Sequence, residues 1–259
     1  MAFLPEFLAR ADRRSDLPRL GGMARPDGVA IVSERHWAFA GLDGTLREGA
    51  MPAPPALLVK IPLVRGLVRL GVSLSPLFRR GGIARRRERW PLAAAVLAGF
   101  GLAVLPQRIS FWTGLALTLG LLVWMLRGRT LRLHGAEHRA IAAAECSSLG
   151  AAWEGTARPS RFSPRCGTNF AALLLPVTLG LDELWPLATA VYTPVLVTLV
   201  SLALTMELWR AVQSLRWPVL GVALWPGLAL QRLTTREPTL DETRLALRAL
   251  ASVLAREGD

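Results

Sequence analysis

Between Glu183 and Glu207 the chain runs for 23 residues, Leu184 to Met206, without one charged side chain. A helix of that length covers roughly 35 Å at ~1.5 Å per residue, enough to cross a bilayer core of ~30 Å with some tilt. Three shorter charge-free stretches stand beside it: Pro91 to Pro106, Ser110 to Leu126 and Gly167 to Leu181. A soluble core spreads its apolar residues periodically, whereas a membrane span clears charge from a whole segment. The pattern therefore predicts a mainly α, polytopic membrane protein with about four apolar helices in two hairpins, the first three short or tilted.

Charge sharpens that expectation. Of the 259 residues, 52% are hydrophobic, yet the chain carries 31 basic residues, all arginine except Lys60, against 19 acidic ones, for a net charge of +12. The arginines flank the apolar stretches: Arg85 to Arg89 ahead of the first, Arg127 to Arg165 between the hairpins, and Arg210 to Arg236 after the last. By the rule that cytoplasmic loops retain Arg and Lys, both termini and the central loop are expected inside a bacterial inner membrane, residues 108 and 183 outside, and residues 134, 166 and 236 inside. Trp90, Trp112, Trp185, Trp209 and Trp217 near the expected span ends fit an aromatic belt. The arginines then report topology and affinity for anionic lipid at the cytoplasmic face, and no nucleic-acid partner is called for. A homo-oligomer or a membrane-protein partner stays open. No signal peptide is expected, because Met1 to Leu20 holds no uninterrupted apolar run. Cys146 and Cys166 are expected as free thiols in a reducing compartment.

The expected organisation is a cytoplasmic segment 1–56 with a small β-hairpin or meander around Gly28 to Ala40, and an interfacial amphipathic helix with a basic linker over 57–90. A first membrane hairpin over 91–126, a cytoplasmic loop 127–166, a second hairpin 167–209 and a cytoplasmic tail 210–259 follow. In the tail, Thr239 and Glu242 have capping-box spacing ahead of an amphipathic helix carrying Leu247, Leu250 and Leu254.

Chemistry concentrates in the central loop. His134-Gly135-Ala136-Glu137-His138 places two of the three histidines one helical turn apart on one face, so that both imidazoles reach one ion. Glu137 fits the H-x-x-E-H order in which a carboxylate acts as the base of a metal-dependent hydrolase; the bland alternative is a pair of surface histidines. A third ligand is expected from another element. Glu207, ionisable at the end of the longest apolar stretch, is one candidate; a surface pair with Arg210 is its ordinary reading. Cys166, directly ahead of an apolar helix and beside Arg165, is another, as a ligand, as a nucleophile served by His138, or as a small buried residue at a helix start. Glu145 lies too far along the helix to share an ion with both histidines and is a supporting residue. So are Arg232 and Arg236 in the donor-rich run Gln231 to Pro238, read as an anion site or a helix-connecting loop. The expected cofactor is a divalent metal, with Zn the natural choice for these ligands. No G-x-G-x-x-G or P-loop fingerprint is present.

HGAEHRAI with Glu145, PRCGTNF, Glu207 and PGLALQRLTTREP resemble the blocks of the YqhQ-like bacterial membrane proteins, as do Gly21 to Asp27 and Pro62 to Gly66 near the start. The resemblance runs from about Gly21 to the C-terminal helix. It implies an integral membrane protein of an uncharacterised family described as metal-dependent enzymes. The family usually has His where Ser163 stands, which argues against a ligand at position 163. Two functions remain: a metal-dependent, hydrolytic site at the cytoplasmic interface, or a non-enzymatic biogenesis factor, scaffold or transporter component in which the same residues form a structural network.

Overall fold

Alternation of apolar residues on two faces builds the sheet of this protein, in a computed structural model that describes residues 3–84, 86–103, 105–106, 109, 112–114, 116–117, 120, 128–186, 192–214, 222 and 224–258. Strands β1 (Gly21–Arg25), β2 (Gly28–Val32), β3 (His36–Gly41) and β4 (Leu46–Ala50) form an antiparallel meander in sequence order. Successive side chains on a strand point to opposite faces. Val29, Ile31, Ala38 and Ala40 therefore join one core, while Ala30, Trp37 and Phe39 join another with Leu77, Ile83 and Ala84.

The helices are α1 (Phe3–Ala11), α2 (Val64–Phe78), α3 (Arg86–Ala103), α4 (Thr130–Glu145), α5 (Leu149–Glu154), α6 (Gly167–Glu183), α7 (Thr193–Ser214), α8 (Trp225–Thr234) and α9 (Leu240–Glu257). α4 and α9 pack on each other and on the first face of the sheet. Ala136, Ala140 and Ala143 of α4 and Ala246 and Ala249 of α9 are fully buried, and these small side chains let the helices approach closely. Leu247, Leu250 and Leu254 are fully buried as well, each removing apolar surface worth roughly 1.5–3 kcal/mol. Thr239 and Glu242 form the capping box that starts α9. A second layer is helical: α6 packs on α7 and α8, and α2 packs on α7.

This architecture corrects the expected polytopic fold. Among the described residues one helix, Thr193–Gln213, is long and apolar enough to cross a membrane. α3 opens with Arg86, Arg87, Glu88 and Arg89, so its apolar part from Trp90 to Ala103 reaches only about 21 Å, short of the ~30 Å bilayer core. α6 has 17 residues and two acids in its last turn, and it buries Asn169 and Leu173 in the helical layer. Most of the expected second arm of the first hairpin, Ser110 to Leu126, lies outside the described residues. Absence of charge marks a helix packed in protein as readily as one in lipid, which is why four stretches read as four spans. The outside placement of residues 108 and 183 depended on those spans and falls with them; residue 108 also lies outside the described residues. The stretch expected as a central loop contributes α4 and α5 to the core against the sheet.

Candidate metal centre

One turn of α4 separates His134 from His138, and their ring centroids lie 4.4 Å apart at an interplanar angle of 62°. Each ring is held through Nδ1: His134 donates to the Thr234 carbonyl oxygen (2.8 Å) and His138 to the Arg161 carbonyl oxygen (2.7 Å). A carbonyl can only accept, so both protons sit on Nδ1 and both Nε2 lone pairs are left for a ligand.

The carbonyls are themselves fixed. A Cβ on Gly135 would sit 2.2 Å from the Arg236 carbonyl oxygen, so α4 lies backbone against backbone on the segment after α8. Arg236 N–H donates to the Leu131 carbonyl oxygen at 2.9 Å. The loop bearing Arg161 is anchored by buried Arg139, which donates to the Pro159 carbonyl oxygen (3.1 Å) and to Glu237 (2.7 Å).

Cys166 arrives from the other layer as the N-cap of α6. Its buried Sγ accepts from the Thr168 amide (3.5 Å) and hydroxyl (3.3 Å) and lies 3.3 Å from His134 Nε2. The preceding turn is pinned by side chains. Asn169 Nδ2 donates to the carbonyls of Ser163 and Pro164, each at 3.0 Å, while Gln231 donates to the Ser163 carbonyl (2.8 Å) and accepts from its amide (2.9 Å). The ligand atoms of His134, His138 and Cys166 all lie within 4.8 Å of one another. His138 Nε2 is buried and has no hydrogen-bond partner among the described residues. A buried polar atom left unpaired costs about 1–3 kcal/mol unless something satisfies it. Two imidazoles and a thiol are the donors Zn²⁺ takes at about 2.0–2.3 Å, with three protein ligands leaving a fourth position open. The residues present therefore fit such an ion.

The cluster forms part of the wall of a cavity of about 450 Å³ whose apolar lining includes Leu20, Met23, Ile141 and Ala171. Glu137 lines it too. Burial pushes the Glu137 carboxyl up to about 7, against the opposing pull of His134 and the Ala24 amide. Its carboxyl group lies over Gly22 of β1, where a Cβ would come within 2.6 Å of Glu137 Cγ. Gly22, which opens this space, was given no site role in the sequence, where it stood out only as part of the Gly21 to Asp27 block.

Other expected site residues fall elsewhere. Glu207 is not one of the clustered groups: Arg65 grips both carboxylate oxygens (2.6 and 2.5 Å) and the Leu63 amide donates to it at 3.2 Å. The structure thus places Glu207, expected as a ligand, apart from the cluster and with Arg65 of α2 as its partner rather than Arg210. The contact restrains Leu63, whose φ of 67° lies in the left-handed region. Glu145 is exposed and paired with Arg165, which lines the cavity. Arg232 and Arg236 are exposed; what their segment supplies to the centre is the Thr234 carbonyl. The histidine beside Cys166 is His134, where His138 had been expected to serve a nucleophile.

Residues 115–256, which include all three clustered residues, match the family described as "Protein of unknown function (DUF1385)". The chain is similar to the uncharacterized protein YqhQ of Bacillus subtilis (strain 168), 30% identical over 138 residues. That match covers 50% of this chain and 42% of the relative, so it spans less than half of the relative's length. No solved structure matches. Matched over more than half of its length, the chain belongs to the DUF1385 family, which includes no assigned function in its description.

Proposed function

We propose that this protein is a metal-dependent enzyme of hydrolytic type, held at the inner membrane by α7 with its centre on the cytoplasmic side. The observation that carries the reading is the meeting of His134, His138 and Cys166 within 4.8 Å, with His138 Nε2 buried and unpaired. A divalent ion bound there supplies Lewis acidity toward a substrate oxygen and toward water. The chain does the rest. The Thr234 and Arg161 carbonyls aim both Nε2 atoms, the apolar walls limit access of bulk water, and Glu137 is the buried carboxyl that exchanges a proton with substrate. Arginines around the end of α7 favour contact with anionic lipid.

The 3.3 Å contact between Cys166 Sγ and His134 Nε2 favours a second reading, a thiol nucleophile with His134 as its base. Metal analysis separates the two. The purified full chain should carry about one equivalent of Zn or a similar ion per chain, and His138→Ala should lose it while staying folded. Metal-free protein, with a melting temperature indifferent to added Zn and to chelator, overturns the metal reading. If Cys166 is then alkylated faster than Cys146, the nucleophile reading stands in its place; if not, the cluster is a structural network.

A further inference from the structure

A second cavity, of about 490 Å³, abuts the first and shares Leu20 and Arg165 with it. Four separate parts of the chain send arginines to its walls: Arg19 ahead of β1, Arg65 and Arg69 one turn apart on α2, Arg165 ahead of α6, and Arg210 on α7. Among the described residues the only acidic one in the lining is Glu207. Arg65 takes it in a two-point pair, and Arg165 is paired with Glu145. Arg19 and Arg69 have no acidic partner among the described residues, and Arg210 acts on Glu207 only through its charge.

Cations gathered from four segments around one hollow repel one another, and an open groove could relieve this by spreading. Packing opposes that. A Cβ on Gly66 would sit 2.6 Å from Met206 Cβ, so α2 is pressed against α7 at the turn between Arg65 and Arg69. A rigid hollow with surplus positive charge is a seat for an anion, and a guanidinium fork matches a phosphate group. Arg165 stands on the wall common to both cavities, so an anion in the groove places the rest of its molecule toward the metal centre. The groove also borders the end of α7, where Met206, Trp209 and Gln213 line it.

We infer that the arginine groove formed by Arg19, Arg65, Arg69, Arg165 and Arg210 binds the phosphate group of the substrate, whose reacting bond lies at the His134, His138 and Cys166 centre. The substrate assignment rests on the proposed metal-dependent activity; the phosphate site itself does not. The phosphate can belong to a soluble monoester or to a phospholipid headgroup, and two probes distinguish these sources: glycerol 3-phosphate, and dihexanoyl phosphatidic acid below its micellar concentration.

Calorimetric titration of the full chain tests the site. Arg19→Gln combined with Arg69→Gln removes two exposed guanidinium groups that hold no ion pair among the described residues, so the variant should keep the fold. Its affinity for the recognised probe should fall about tenfold, with metal content unchanged, and wild-type affinity should weaken as salt rises. Equal binding of both probes identifies the phosphate group alone as the ligand; binding of the lipid probe only identifies a phospholipid. His138→Ala, tested in parallel, should bind the probe as wild type does. Should wild type prove metal-free yet bind phosphate through these arginines, the metal reading fails and the groove survives. Failure of wild type to bind either probe, or equal binding by wild type and the double variant, overturns the phosphate site.

Discussion

Cys166 Sγ lies 3.3 Å from His134 Nε2 at the seam between the helix-covered sheet and the helical layer. The contact ties the N-terminus of α6 to the second turn of α4, so an ion binding there would link two layers that approach each other from separate parts of the chain. Ligands that bind only the folded state stabilise it by mass action.

The two thiols should report this directly. Cys146 is exposed and Cys166 buried, and both are free. A thiol-reactive dye should therefore modify one cysteine rapidly in the native chain and two after denaturation. Added Zn²⁺ should slow modification of Cys166 further without changing Cys146. Equal protection of both residues, or of neither, counts against Cys166 as a ligand.

Two glycines hold the centre open and should not tolerate a methyl group. Gly135→Ala places a Cβ 2.2 Å from the Arg236 carbonyl, a backbone atom that cannot step aside, and should cost about 3 kcal/mol. Gly22→Ala meets Glu137, a buried side chain with little room to move, and should cost about 1–3 kcal/mol. Gly71→Ala, on an open face of α2, is the control and should be neutral or stabilising by about 0.5–1 kcal/mol. Urea unfolding midpoints measure all three; a Gly135→Ala protein as stable as the control would show that the segment around Arg236 is not pressed against α4.

Much of the centre was legible because its signals are local. Two histidines at helical spacing face the same way whatever surrounds them, a capping box names its own helix start, and Cys166 ahead of an apolar run announces a helix N-terminus. What could not be read is the pairing of distant segments. Nothing near Glu207 in sequence says that Arg65, 142 positions away, takes it. Nothing in the run Thr234 to Arg236 says that its backbone, rather than the Arg236 side chain, serves His134. The four-stranded sheet was read too narrowly because β1 consists of Gly21, Gly22, Met23, Ala24 and Arg25, with none of the β-branched or aromatic residues that mark strands; its partner strand, rather than its own composition, makes it one.

The Arg65–Glu207 pair predicts a separation of stability from metal binding. Glu207→Gln weakens a two-point charge-assisted contact and loosens Leu63 in its unusual backbone conformation. The melting temperature should fall by a few degrees, about what 1 kcal/mol does in a chain of this size, while bound metal stays unchanged. Metal lost in parallel with His138→Ala would return Glu207 to the ligand set.

Carboxylates at the two ends of α9 set the acid limit of the fold. Burial alone would raise both. For Glu242 it is outweighed by the Thr239 amide and by Arg132 and Arg129; for Glu257, by Ser33, Arg35 and His36. Both therefore titrate below the ordinary carboxylate range when folded. A depressed folded value means that the unfolded chain binds protons more readily as pH falls, so the stabilisation is complete above the unfolded value and is lost as pH drops through the folded one. Urea midpoints should accordingly hold steady down to about pH 5 and then decline. Glu242→Gln and Glu257→Gln should each be less stable than wild type at neutral pH, with the gap narrowing in acid, whereas Thr239→Ala should lose about 1 kcal/mol of capping energy at neutral pH. A gap between wild type and the Gln variants that stays constant from neutral pH to about pH 3 would mean that the paired charges contribute nothing, leaving the buried leucines of α9 to hold the helix on the sheet by themselves.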